Sequence, residues 1–176
     1  MEDVVIFSIF AAGGFLVLLS YFLLYKYGVL KQVMPVIRNE KQFTVLWAIS
    51  VFFTVVSIFA VIIYFSFYKK LEDWQRTLFI VSLSVFLFFA ICWSISLYYI
   101  YKKGADFRAQ QIILLFVALG TAGMLSSVID EDTPWLIITA AFIVFFHHFF
   151  IDALLWVDVS KKYYLDQKKP KKIKRK

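Results

Sequence analysis

Five stretches of the chain carry no charged side chain: residues 4–25, 42–68, 77–101, 109–129 and 133–151. The last continues to Val157 past a single interruption, Asp152. Crossing about 30 Å of hydrocarbon takes about 20 helical residues. A helix suits that setting because it satisfies its own backbone hydrogen bonds without water. The alternating ten-residue segments of a membrane barrel do not occur. The pattern predicts an all-α, polytopic membrane protein: a five-transmembrane-helix bundle with helices at about 4–25, 43–68, 77–101, 109–128 and 135–157. A basic tail occupies 158–176.

Composition excludes the soluble alternative. Of the 176 residues 62% are hydrophobic, with a mean hydropathy of +0.78, more apolar surface than a water-soluble domain of this size can cover. The charges also assign an orientation. Sixteen of the 19 lysines and arginines fall in segments 26–43 and 102–108 and in the tail; three (Lys69, Lys70, Arg76) fall on the opposite side. The positive-inside rule then puts the N-terminus outside and the C-terminus in the cytoplasm, as an odd number of spans requires. The first apolar run lacks a basic leader and is too long for a signal peptide, so it is expected to stay as the first helix.

Several functions are excluded or disfavoured. A lone cysteine, Cys92, rules out an internal disulfide or a cysteine-rich metal motif. Asn39, the only asparagine, is not in a glycosylation sequon. The net charge of +7 is concentrated in the tail, where Lys168, Lys169, Lys171, Lys172, Lys174, Arg175 and Lys176 point to anionic lipid headgroups rather than nucleic acid. Lys172 and Lys174 also match the dilysine retrieval signal of endoplasmic-reticulum membrane proteins. The expected location is the cytoplasmic membrane of a bacterium or, in a eukaryote, the endoplasmic reticulum.

Small residues predict where helices meet. Gly13 and Gly14 form a patch on the first helix; Ala118, Ala122 and Ser126, with Gly120 and Gly123 nearby, mark the fourth as the centre of the bundle. Ser50, Thr54 and Ser57 form one polar stripe on the second helix, which predicts hydroxyls bonded to backbone or to a neighbouring helix, with a transport pathway as the alternative. Val29, Leu30, Val33, Val36 and Ile37 recur at helical spacing between polar residues, predicting an interfacial helix kinked near Pro35. Gln110 and Gln111 are expected to be solvated at the membrane surface.

The fifth helix holds the candidate chemistry. It contains both histidines of the chain, His147 and His148, together with Asp152. Ionisable groups in hydrocarbon are costly and mark function by default. With α-helical spacing, His148, Asp152 and Trp156 share one face, so His148 is the expected partner of Asp152. His147 points about 100° away, and a metal held by His147 and His148 is expected only in a dimer, because one protomer offers too few ligands on separate faces. A structural staple, with Trp156 at the interface, stands beside a chemical or transport role.

The pattern His-x3-Asp-x3-Trp over His148–Trp156 resembles the closing helix of some multi-span bacterial membrane proteins, among them the Brp/Blh-type carotenoid-cleaving oxygenases. That family holds iron with histidines on several helices. This chain has histidines on one helix, so the resemblance does not bring the activity with it, and no cofactor is expected. The leading expectation is a small accessory or structural subunit of a membrane complex, with a membrane-protein partner or a second copy. The alternatives are a transporter or proton-coupled protein using His148 and Asp152, and an intramembrane metalloenzyme built across a dimer.

Overall fold

The protein was analysed as a computed structural model, which describes residues 3–30 and 41–168, with side-chain detail for 3–30 and 44–162. Helix α1 is Val4–Lys26 and α2 is Lys41–Ile63, continued by a wide π-helical turn at Tyr64–Tyr68. Helix α3, Asp73–Tyr98, ends in a second such turn, Tyr99–Lys103, and α4 is Phe107–Val128. Helix α5, Trp135–Phe146, runs into ten π-helical residues, His147–Trp156, and then into α6, Val157–Lys168. No strand occurs among the described residues. Among the described residues, five continuous helical rods are long and apolar enough to cross a membrane.

Local chemistry sets the helix ends. The Asp3 carboxylate accepts from the Ile6 N–H, and that of Asp106 accepts from Arg108 N–H at 3.0 Å, each satisfying a donor that the first turn leaves open. Gln75 does the converse, accepting the Glu72 N–H through its side chain at 3.1 Å. Gly28 and Gly104, at φ 67° and 74°, take the left-handed conformation that closes the preceding rods. Residues 158–168, read from sequence as the start of the tail, continue the last rod as α6. Of the interfacial helix expected from Val29 to Ile37, Val29 is buried in the core and Leu30 packs against it; its residues 31–37 lie outside the described residues, as do the side chains of the basic residues 168–176, with the dilysine signal.

Helices α3 and α4 form the most extensive pair. Helix α1 packs on α3, α2 packs on α5, and α4 also meets α5 and the π-helical segment. Helix α4 is thus the hub, as the small residues predict, with Gly120, Gly123 and Ala118 at the contact and Ser126 off it. Ser126 is exposed and returns its hydroxyl to Ala122 O at 2.9 Å; Ala122 is half-buried, and of the expected triplet Ala118 alone is buried. The close approach belongs to Gly120. A β-carbon there would lie 2.7 Å from Phe86 N and 2.8 Å from Ser82 O. On α1, Gly13 packs against Leu87, whereas a β-carbon on Gly14 would meet nothing within 4 Å. Gln110 is fully buried and only Gln111 is exposed, so the expected solvation holds for one of the two.

One end of the bundle is latched by polar contacts. Asp3 pairs with Arg76 through two hydrogen bonds and donates its own N–H to Ser66 O at 2.7 Å. Lys69 donates to Asp130 at 2.8 Å and to Thr133 at 3.1 Å. Partial burial pushes the Asp3 carboxyl up, but the hydrogen bond and charge of Arg76 outweigh it and hold the group below the usual carboxylate range. The Lys69 hydrogen bond holds Asp130 low as well. These contacts tie together the chain start, the α2–α3 connection and the α4–α5 connection.

Candidate functional site

The ten π-helical residues decide the geometry of the polar cluster. In an α-helix, residues five apart lie about 140° apart around the axis. The wider i→i+5 turn brings them to the same side. His147 therefore faces Asp152, with His147 Nε2 at 3.3 Å from Asp152 Oδ2. The expected His148–Asp152 pair gives way to this one. His148 turns its Nδ1 to Val144 O, 2.7 Å away, and packs edge-on against Phe86 of α3, ring centres 5.1 Å apart.

Neighbouring helix α2 supplies the rest. Ser50 Oγ lies 2.5 Å from His147 Nδ1, and Trp47 Nε1 donates to Asp152 Oδ1 at 3.4 Å. Two residues of the stripe seen in the sequence reach the cluster or its cavity, with distinct roles: Ser50 binds an imidazole, whereas the Thr54 hydroxyl, in a side chain only 6% exposed, has no hydrogen-bond partner among the described residues. Several other hydroxyls in the apolar helices bond backbone or a neighbouring helix. Ser84, Ser96, Thr121 and Ser127 return theirs to carbonyls three or four residues earlier, and Ser20 also reaches Ser94 across α1 and α3.

Trp156 does not anchor the protein at an interface. It is 2% exposed and packs against Trp47, ring centres 5.7 Å apart at 30°. Trp47 therefore ties the final rod to α2 twice, through its ring and through its N–H. Nothing in the sequence singled it out, since an aromatic near the end of a span is ordinary.

The cluster borders a cavity of about 420 Å³. Its polar lining comes from Thr54, His147, His148 and Asp152, with Tyr21 of α1 and the indoles of Trp47 and Trp93. Apolar walls from α2, α3 and α4 complete it. His147 is 4% exposed and the Asp152 side chain 17%, so the carboxylate has little access to water. Such surroundings strengthen every electrostatic contact inside. One ligand-type atom from each of His147, His148 and Asp152 lies within 4.8 Å of the others. A protomer therefore gathers three possible metal ligands unaided, contrary to the expectation that only a dimer brings enough together.

Comparison with known protein families, curated proteins and solved structures finds no match for this chain.

Proposed function

We propose that the protein is an integral membrane protein, N-terminus outside and C-terminus cytoplasmic, that binds and passes a proton or small cation at the His147–His148–Asp152 cavity. The observation that carries this is the placement of an intramembrane carboxylate beside two imidazoles on the wall of a cavity, with an unpartnered Thr54 hydroxyl in the same lining. A structural staple by itself gives no reason for the adjoining space or the unpartnered hydroxyl, whereas ionisable groups inside membranes mark ion and proton pathways. In the proposed orientation the site lies toward the cytoplasmic half, since Trp47 and Ser50 stand near the start of the second span.

Proteoliposomes with an entrapped pH dye test this through Asp152→Asn, which keeps an oxygen acceptor for Trp47. Cation- or proton-driven flux above that of empty liposomes, abolished in Asp152→Asn at unchanged thermal stability, is the expected result. Absence of flux, with Asp152→Asn unfolding more easily by the roughly 3–5 kcal/mol of a broken buried pair, assigns the cluster to structure instead. Orientation is read separately, using cysteines placed at Glu131 and Lys161, both exposed, in a Cys92→Ser background. An impermeant maleimide should label the first in intact cells and the second only after lysis.

A second reading, a subunit of a membrane complex, draws on α1. Only Ile6 and Leu24 of its 23 residues are buried, and Gly14 has no neighbour to pack against. A partner helix or second copy on that face is compatible with the cavity function; co-purification of a stoichiometric partner in mild detergent would favour it.

A further inference from the structure

We propose that His147, His148 and Asp152 form a binding site for one zinc-type divalent transition-metal ion within a single protomer, deepening the function above by naming the cation class; the proposal rests on that cavity being a working site. The first support is the donor set, two imidazole nitrogens and one carboxylate oxygen, with a ligand-type atom of each within 4.8 Å of the others. Imidazole and carboxylate together suit zinc and its neighbours, at bond lengths near 2.0–2.2 Å. Two such ligands around a tetrahedral ion stand about 3.4 Å apart on those lengths. The His147 Nε2 to Asp152 Oδ2 separation is 3.3 Å.

The second support is independent of the first and concerns the atoms that would not touch the ion. A metal-binding histidine characteristically uses its other ring nitrogen to hydrogen-bond a fixed partner, which sets tautomer and orientation. All three residues have such a partner. His148 Nδ1 donates to Val144 O, which in the neutral imidazole leaves Nε2 with a free lone pair. His147 uses Nδ1 on Ser50, leaving Nε2 toward Asp152. Asp152 uses Oδ1 on Trp47, leaving Oδ2. Each residue thus keeps one ligand atom uncommitted to an outer partner, and two helices hold the outer shell.

Charge and hydrogen-bond capacity point the same way. The bare His148 nitrogen and the Asp152 carboxylate are both acceptors, and His147 Nε2 joins them when Nδ1 donates to Ser50. Acceptors gathered away from water repel unless a cation or proton lies among them. Three protein ligands also leave a coordination position for water or cargo, and the Thr54 hydroxyl in the cavity lining supplies a polar group to meet it.

The test is metal binding by the full chain in mild detergent, with any affinity tag removed. After chelator treatment, zinc is titrated against a competing chelator, and cobalt(II) is added separately to read the visible absorption of a tetrahedral, nitrogen-containing site. Expected are one metal per chain, a tetrahedral cobalt spectrum, a loss of at least 100-fold in affinity in His148→Gln, and a loss of about 10–100-fold in Ser50→Ala through the outer shell. Wild-type protein without stoichiometric zinc and with only the spectrum of aqueous cobalt overturns the proposal, whatever the variants do. One metal per two chains, or zinc retained undiminished in a folded His148→Gln, overturns it as well. Flux that persists in metal-free protein and is lost in Asp152→Asn removes the metal while leaving the transport function standing. Stoichiometric zinc without flux does the reverse.

Discussion

Replacing Gly120 by alanine tests the packing that holds the site together. The added β-carbon would lie 2.7 Å from Phe86 N, 2.8 Å from Ser82 O and 3.0 Å from Phe86 Cα. These are backbone atoms of α3, so no side chain can swing aside. Restoring an ordinary separation of 3.4 Å requires α3 and α4 to part by about 0.7 Å locally, an overpacking whose typical cost is about 1–3 kcal/mol. Because backbone must move, the upper half of that range applies. Alanine's better helix propensity returns at most about 1 kcal/mol, giving a net loss of about 2 kcal/mol. Gly14→Ala is the control, with the same propensity change and nothing within 4 Å, so it should be neutral within about 0.5 kcal/mol or slightly stabilising. Gly13→Ala belongs between them, because its β-carbon meets only the movable Leu87 side chain. Denaturant titration in mixed micelles, followed by circular dichroism, reads all three. The order Gly14, Gly13, Gly120 by increasing damage is expected. Gly120→Ala as stable as Gly14→Ala would refute the close α3–α4 contact, and with it the wall that Phe86 gives the cavity.

The latch at the other end makes the bundle acid-sensitive. Asp3 and Asp130 are held below their ordinary values in the folded protein, so their contribution is complete above the unfolded carboxylate value, near 3.8. It is lost as pH falls through the lower folded values; thermal melts between pH 6 and pH 2.5 should show the loss, and Asp3→Asn with Asp130→Asn should flatten it. Trp47→Phe keeps the ring against Trp156 and removes the N–H to Asp152, costing about 1–2 kcal/mol in the same micelle titration. Trp47→Ala removes both and should cost about 3–5 kcal/mol. Equal losses in the two variants would mean that the indole N–H contributes nothing at the site.

What the sequence determined by itself is the number and approximate placement of the apolar helices, and it singled out His147, His148 and Asp152 as the ionisable residues within the last of them. Both follow from short-range physics. Charges cannot be left in hydrocarbon without compensation, so their absence over about 20 residues marks a helix able to cross a membrane, and Asp152 stands out as the exception. Tertiary structure decided which of those residues meet. Pairing Asp152 with His148 is correct for a regular α-helix and fails because ten residues adopt wider turns, which exchange i,i+4 neighbours for i,i+5 neighbours and bring His147 to the carboxylate. Trp47 and Ser50 are about a hundred residues away in sequence, a separation at which helical periodicity says nothing. The packing face of α4 was legible only in part, for a related reason. A row of small residues shows where close approach is permitted, whereas the approach itself, at Gly120 rather than Ser126, depends on the shape of α3.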